Sequence, residues 1–98
     1  MKDEILKEIA KLTAQKLHSD PSTLLDIFIG EELFVVELYD YKSIYDAEVK
    51  SISWTDEQFA EYDDLDFFDD LLQEELYLQR WTYNLFDITY KTKFPNLL

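Results

Sequence analysis

Residues 61–75, EYDDLDFFDDLLQEE, hold eight carboxylates in fifteen positions and no cation. The nearest basic side chains are Lys50 before the run and Arg80 after it. Carboxylates in such numbers can exchange protons, hold a metal ion or attract positive charge. Proton chemistry needs a cleft that pushes two pKa values apart, and a solvated helical row offers none. A calcium loop needs a set ligand spacing and a glycine at its sharp turn; Asp63-Asp64-x-Asp66 has neither. His18, the single histidine, falls at a predicted helix end beside Pro21 and reads as a surface residue rather than a general base. There is no cysteine, and no Ser or Thr stands in a constellation with a base. The sequence predicts no catalytic residue, no cofactor and no metal site, which leaves attraction of positive charge.

Composition narrows what that charge can meet. The formal net charge is −13, and residues 51–79 contribute −10 of it, from ten acids and no bases. A nucleic-acid footprint needs a basic patch, and an anionic membrane surface attracts basic segments. Both partners are therefore excluded as direct ligands. At 47% hydrophobic and 16% aromatic the chain is too apolar to stay disordered. Its length fits one domain, residues 1–98. The opening MKDEILKEIAKL carries charges where a signal peptide needs an apolar run, and no stretch is long enough to span a bilayer. A cytoplasmic location is expected.

The elements that must position the acids can be read in turn. Residues 2–18 predict an amphipathic helix, with Ile5, Leu6, Ile9, Leu12 and Leu17 on one side and Glu4 and Glu8 spaced to meet Lys7 and Lys11. Ser19-Asp20-Pro21 ends it. Residues 22–30 fit a short helix or a strand, and the alternation of Leu25, Ile27 and Ile29 before Gly30 favours the strand. Residues 33–39 and 44–54 predict two more strands, joined by a turn at Asp40–Ser43. Thr55 with Gln58 reads as a capping box and Trp54 with Phe59 as a hydrophobic staple, so a long helix is predicted from Thr55 to about residue 80. A break near Asp63-Asp64 is compatible with the pattern. Phe86, Ile88, Tyr90, Thr92 and Phe94 alternate as a last strand after Asn84, while Trp81, Leu85 and Ile88 support a continued helix instead. The expected fold is α+β: an N-terminal helix, a small antiparallel sheet of three to four strands, and a long acidic helix packed on it.

On that helix Leu65, Phe68, Leu72 and Leu76 fall within about 80° of one another and form the core stripe. Asp63, Asp66, Asp70 and Glu74 fall within about 80° on nearly the opposite side. A second apolar ridge, Phe67, Leu71 and Leu78, flanks them. Each like-charge pair at this spacing costs about 0.2–0.5 kcal/mol, a cost that interleaved lysines would remove. An acidic solvated face accounts for the pattern without any partner. A face kept negative for a partner accounts also for the missing lysines.

The expected function is an acidic, protein-binding inhibitor or decoy that occupies the basic nucleic-acid-binding surface of another protein. Asp63, Asp66, Asp70, Glu74, Phe67, Leu71, Tyr62 and Tyr77 are its candidate contact residues. In composition and size, though in no motif, the chain is similar to phage-encoded DNA mimics, including anti-restriction and anti-CRISPR proteins. An immunity protein that neutralises a basic nuclease toxin needs the same physics. A small assembly module, with the Phe67–Leu71–Leu78 ridge packing against a second copy in a homodimer, is the alternative of a different class.

Overall fold

The computed structural model describes residues 2–93, with side chains for residues 2–80. Chain order is α1 (Lys2–Ser19), β1 (Leu24–Ile29), β2 (Glu32–Leu38), a 3-10 turn (Ile44–Asp46), β3 (Val49–Trp54), β4 (Glu57–Gln58) and α2 (Tyr62–Lys93). The fold is α+β. The strands form one antiparallel sheet in the order β1-β2-β3-β4, with α1 against β1, α2 against β3, and the two helices against each other.

Helix α1 buries Leu6, Ile9, Ala10, Thr13 and Leu17, residues three or four apart on one face. Asp3 and Glu4 in its first turn and Lys16 in its last complement the helix dipole. At its end the Asp20 N–H donates to the Lys16 carbonyl at 2.7 Å and the Ser19 hydroxyl to that of Gln15 at 3.0 Å. Pro21 prevents another turn.

The strand reading of 22–30 holds. Leu25 and Ile27 point inward and Leu24, Asp26 and Phe28 outward. Gly30, at φ 64°, takes the first central position of the two-residue turn to β2, where a side chain would be strained. The inward faces of the sheet, among them Phe34, Val36 and Ile52, meet Leu6, Ile9 and Leu17 of α1 and Phe68, Leu72 and Leu76 of α2 in one core.

Three predicted elements are corrected. Residues 44–54 are not one strand: Ile44–Asp46 form the 3-10 turn, whose start is held by the Ser43 hydroxyl accepting from the Tyr45 N–H, and only Val49–Trp54 is extended. The long helix does not start at Thr55. Thr55, at φ 58°, and Asp56 make a tight turn between β3 and β4, with Trp54 opposite Glu57 and Ser53 opposite Gln58. The two aromatic rings taken for a staple pack instead against Phe34, Trp54 stacked at 6.0 Å and Phe59 edge-on at 5.1 Å. The Phe59 N–H donates to Ile52 at 2.7 Å and the Gln58 side chain to the Ala60 carbonyl at 2.8 Å, so neither serves a helix cap. Burial against the sheet outweighs a local capping preference. Third, no strand follows Asn84 among the described residues. Helix α2 begins without a break at Tyr62 and continues to Lys93; Phe94 of that predicted strand lies outside the described residues. No Gly or Pro occurs between Tyr62 and Pro95, and extending a formed helix is far easier than starting a new element.

Candidate functional site

On α2 the predicted division of faces is realised. Phe68, Leu72 and Leu76 are fully buried, while Leu65 is partly buried at the rim of the core. Asp63, Asp66, Asp70 and Glu74 are all exposed, and among the described residues none of them forms an ion pair. Asp63 and Asp64 occupy the first turn, where the helix dipole favours them.

The other carboxylates of the run differ, and the sequence did not separate them. Asp64 pairs with Lys2 of α1 at 2.6 Å, so one member of the run is balanced by a residue 62 positions earlier. Lys2 is held above its ordinary pKa chiefly by that hydrogen bond. Asp69 leans toward the sheet, where its Oδ1 accepts the Val49 N–H at 2.9 Å. The pairing of β2 with β3 shifts register between Glu37 and Leu38, leaving Lys50 as an extra residue beside Val49. Burial raises the pKa of Asp69; the Val49 hydrogen bond opposes that, and the neighbouring Glu48, Asp66 and Asp70 add to it. Its place on the wheel, about 20° from Leu76, was the available signal.

The apolar candidates are brought to different places. Tyr62 is 76% exposed at the start of α2, and Phe67 is 37% exposed beside the acidic row. Leu71 packs partly against the core, so the ridge through Phe67, Leu71 and Leu78 is interrupted at its middle. Tyr77 is exposed yet engaged within the chain. Its ring stacks on Tyr45 of the 3-10 turn at 5.1 Å, and the Arg80 guanidinium sits 5.4 Å from that Tyr45 ring. His18 is not the surface residue expected. It is partly buried, its Nε2 lies 3.1 Å from the Leu76 carbonyl, and its ring meets the edge of Tyr45 at 6.1 Å. It ties the end of α1 to α2.

Next to the row lies a cleft of about 410 Å³ lined by Tyr39, Glu48, Lys50, Tyr62, Asp66 and Asp69. It joins the acidic row to β3, and Tyr39, Glu48 and Lys50 had no signal in sequence because they lie in a different element. Lys50 leans away toward Glu37 at 3.7 Å and stands 6.0 Å from the Tyr39 ring. Among the described residues no group of three or more His, Asp or Glu side chains is placed to hold a metal ion, and no helix is long and apolar enough to cross a membrane. No protein family, curated protein or solved structure matches this chain.

Proposed function

We propose that this chain is an acidic protein-binding inhibitor whose α2 face occupies the basic nucleic-acid-binding surface of a partner. One observation carries the reading: Asp63, Asp66, Asp70 and Glu74 line one side of α2, all exposed, and none of them forms an ion pair among the described residues. Duplex DNA presents one negative charge per about 1.7 Å of axis, counting both strands. A helix row offers one per turn or less, roughly 5–6 Å apart, on a frame that does not bend. A basic channel shaped for phosphates meets in α2 a line of the same sign, though a sparser one.

Charge alone gives encounter more than residence; aromatic anchors supply the latter. Tyr62 and Phe67 are placed for that role on the two sides of the row. The cleft between α2 and β3 suits an arginine or lysine side chain of the partner. Its carboxylates Glu48 and Asp66 match the charge, and its rings Tyr39 and Tyr62 offer faces to a cation at about 0.5–1 kcal/mol each.

The test is capture at low salt followed by release. Wild type, immobilised, should retain basic nucleic-acid-binding proteins that added duplex DNA or RNA displaces. A variant carrying D63N, D66N, D70N and E74Q should retain none while keeping its helical circular dichroism. Retention of the same proteins by the folded variant would reduce the row to a solubility feature. A shifted band when the chain itself is mixed with nucleic acid in a gel would also overturn the reading. A retained nuclease that loses activity in the complex would identify the inhibitor as an immunity protein.

A further inference from the structure

Strand β1 is an edge, paired only with β2 among the described residues. The Thr23 carbonyl accepts from the Leu38 N–H at 2.8 Å, so by alternation Thr23, Leu25, Ile27 and Ile29 direct their backbone polar groups to β2. Leu24, Asp26 and Phe28 direct theirs outward. The outer face of the same strand carries exposed apolar side chains on both sides of Asp26: Leu24 is 61% and Phe28 60% exposed, with the exposed Leu33 directly opposite Phe28 on β2. An exposed apolar edge is a template for strand addition. Two side chains occupy this one. The Ser22 hydroxyl accepts from the Leu24 N–H at 3.2 Å and donates to the Leu24 carbonyl at 3.0 Å. Lys16 reaches from α1 and donates its Nζ to the Asp26 carbonyl at 2.5 Å. A groove of about 470 Å³ lies at the start of this edge, between the end of α1 and Leu24 and Leu25, with Lys16 and Ser22 in its lining.

We propose that β1 is a latent self-association edge held shut by Lys16 and Ser22, and that its occupant when opened is β1 of a second copy. The pattern is self-complementary. Two β1 strands paired antiparallel about Asp26 set Leu24 of each against Phe28 of the other, pairs that stabilise a sheet. The acidic row lies on another element, since α2 packs against β3 and α1 against β1, but the net charge of −13 on each copy opposes association. Asp26 opposes it too, since its carboxylate would face its own copy, and it serves as a third guard. The other edge needs no such device: β4 has two residues, Glu57 and Gln58.

Sedimentation of wild type, K16M/S22A and K16R at matched concentration tests this. Wild type and K16R, which retains a donor for the Asp26 carbonyl, should run as monomers. K16M/S22A should shift toward twice the mass as concentration rises, with slower amide exchange at Asp26 and Phe28. Adding Phe28→Pro, which removes an outward N–H and the ring, should return it to monomer. Both guard side chains lie outside the core, so circular dichroism should be unchanged; should the double variant unfold, K16M alone carries the same expectation. A folded guard variant that stays monomeric, a dimer that survives Phe28→Pro, or a wild-type dimer overturns the proposal.

Discussion

Along α2, Phe68, Leu72 and Leu76 are fully buried, and half a turn away Asp63, Asp66, Asp70 and Glu74 stand in solvent. Along α1 the inner face is equally dry, with Leu6, Ile9 and Leu17 fully buried, but its outer positions mix Glu4 and Glu8 with Lys7, Lys11 and Lys16. Both helices are held by the same means, an apolar stripe against a shared sheet. Their outer faces are therefore free to be composed for another purpose. Helix α1 uses that freedom to mix charges of both signs and to reach β1 through Lys16, whereas the row on α2 forms no ion pair among the described residues, at a cost in helix stability.

The comparison is broken most severely from the inside. Phe68→Ala removes the largest fully buried side chain, and should lower unfolding free energy by about 3–5 kcal/mol in urea titration. A smaller loss would mean that α2 does not depend on its stripe. The inner face of α1 is sharpened by Thr13→Val. Thr13 is fully buried and its hydroxyl has no hydrogen-bond partner among the described residues. Replacing it with a methyl of similar shape should raise stability by about 1 kcal/mol or more, read as a higher thermal midpoint.

Asp69 stands between the two faces of α2 and separates charge from hydrogen bonding. Asp69→Asn keeps an acceptor for the Val49 N–H, and Asp69→Ala does not. The alanine variant should be less stable than the asparagine variant by about 0.5–1.5 kcal/mol. Because burial holds the Asp69 carboxyl above its ordinary pKa, the folded chain keeps that proton more tightly than the unfolded chain. Stability should therefore decline as pH rises through the window between the ordinary and the raised value, and recover on acidification through it. Asp69→Asn should remove that component of a pH-resolved melt; an unchanged curve would show that Asp69 is not desolvated.

On the outer face the expected effect has the opposite sign. Neutralising Asp63, Asp66, Asp70 and Glu74 removes three consecutive like-charge pairs, and should stabilise the fold by about 1 kcal/mol in total at low salt. Added salt should shrink that gain, as the screening length drops from about 10 Å at 0.1 M to 3 Å at 1 M. A loss of stability would mean that the row makes contacts within the fold.

Much of this was legible in the chain. The period of apolar residues located α1, β1 and β2 and ordered the two faces of α2, since burial at helical or strand spacing is a local property of sequence. The acidic row was legible for the same reason: helical geometry alone places Asp63, Asp66, Asp70 and Glu74 on one side. Where the reading failed, a distant residue decided. Trp54 and Phe59 directly flank a capping box, Thr55 with Gln58, that any local reading would accept, yet Phe34 draws both rings onto the sheet and sends Thr55 into a turn. The pairing of Asp64 with Lys2, the tilt of Asp69 to Val49, the seat of His18 under Leu76 and the lock of Lys16 on Asp26 join residues from 10 to 62 positions apart. Sequence determined which side chains share a face. Only the tertiary packing, which sets those faces against one another, decided which acids are left without an ion pair among the described residues.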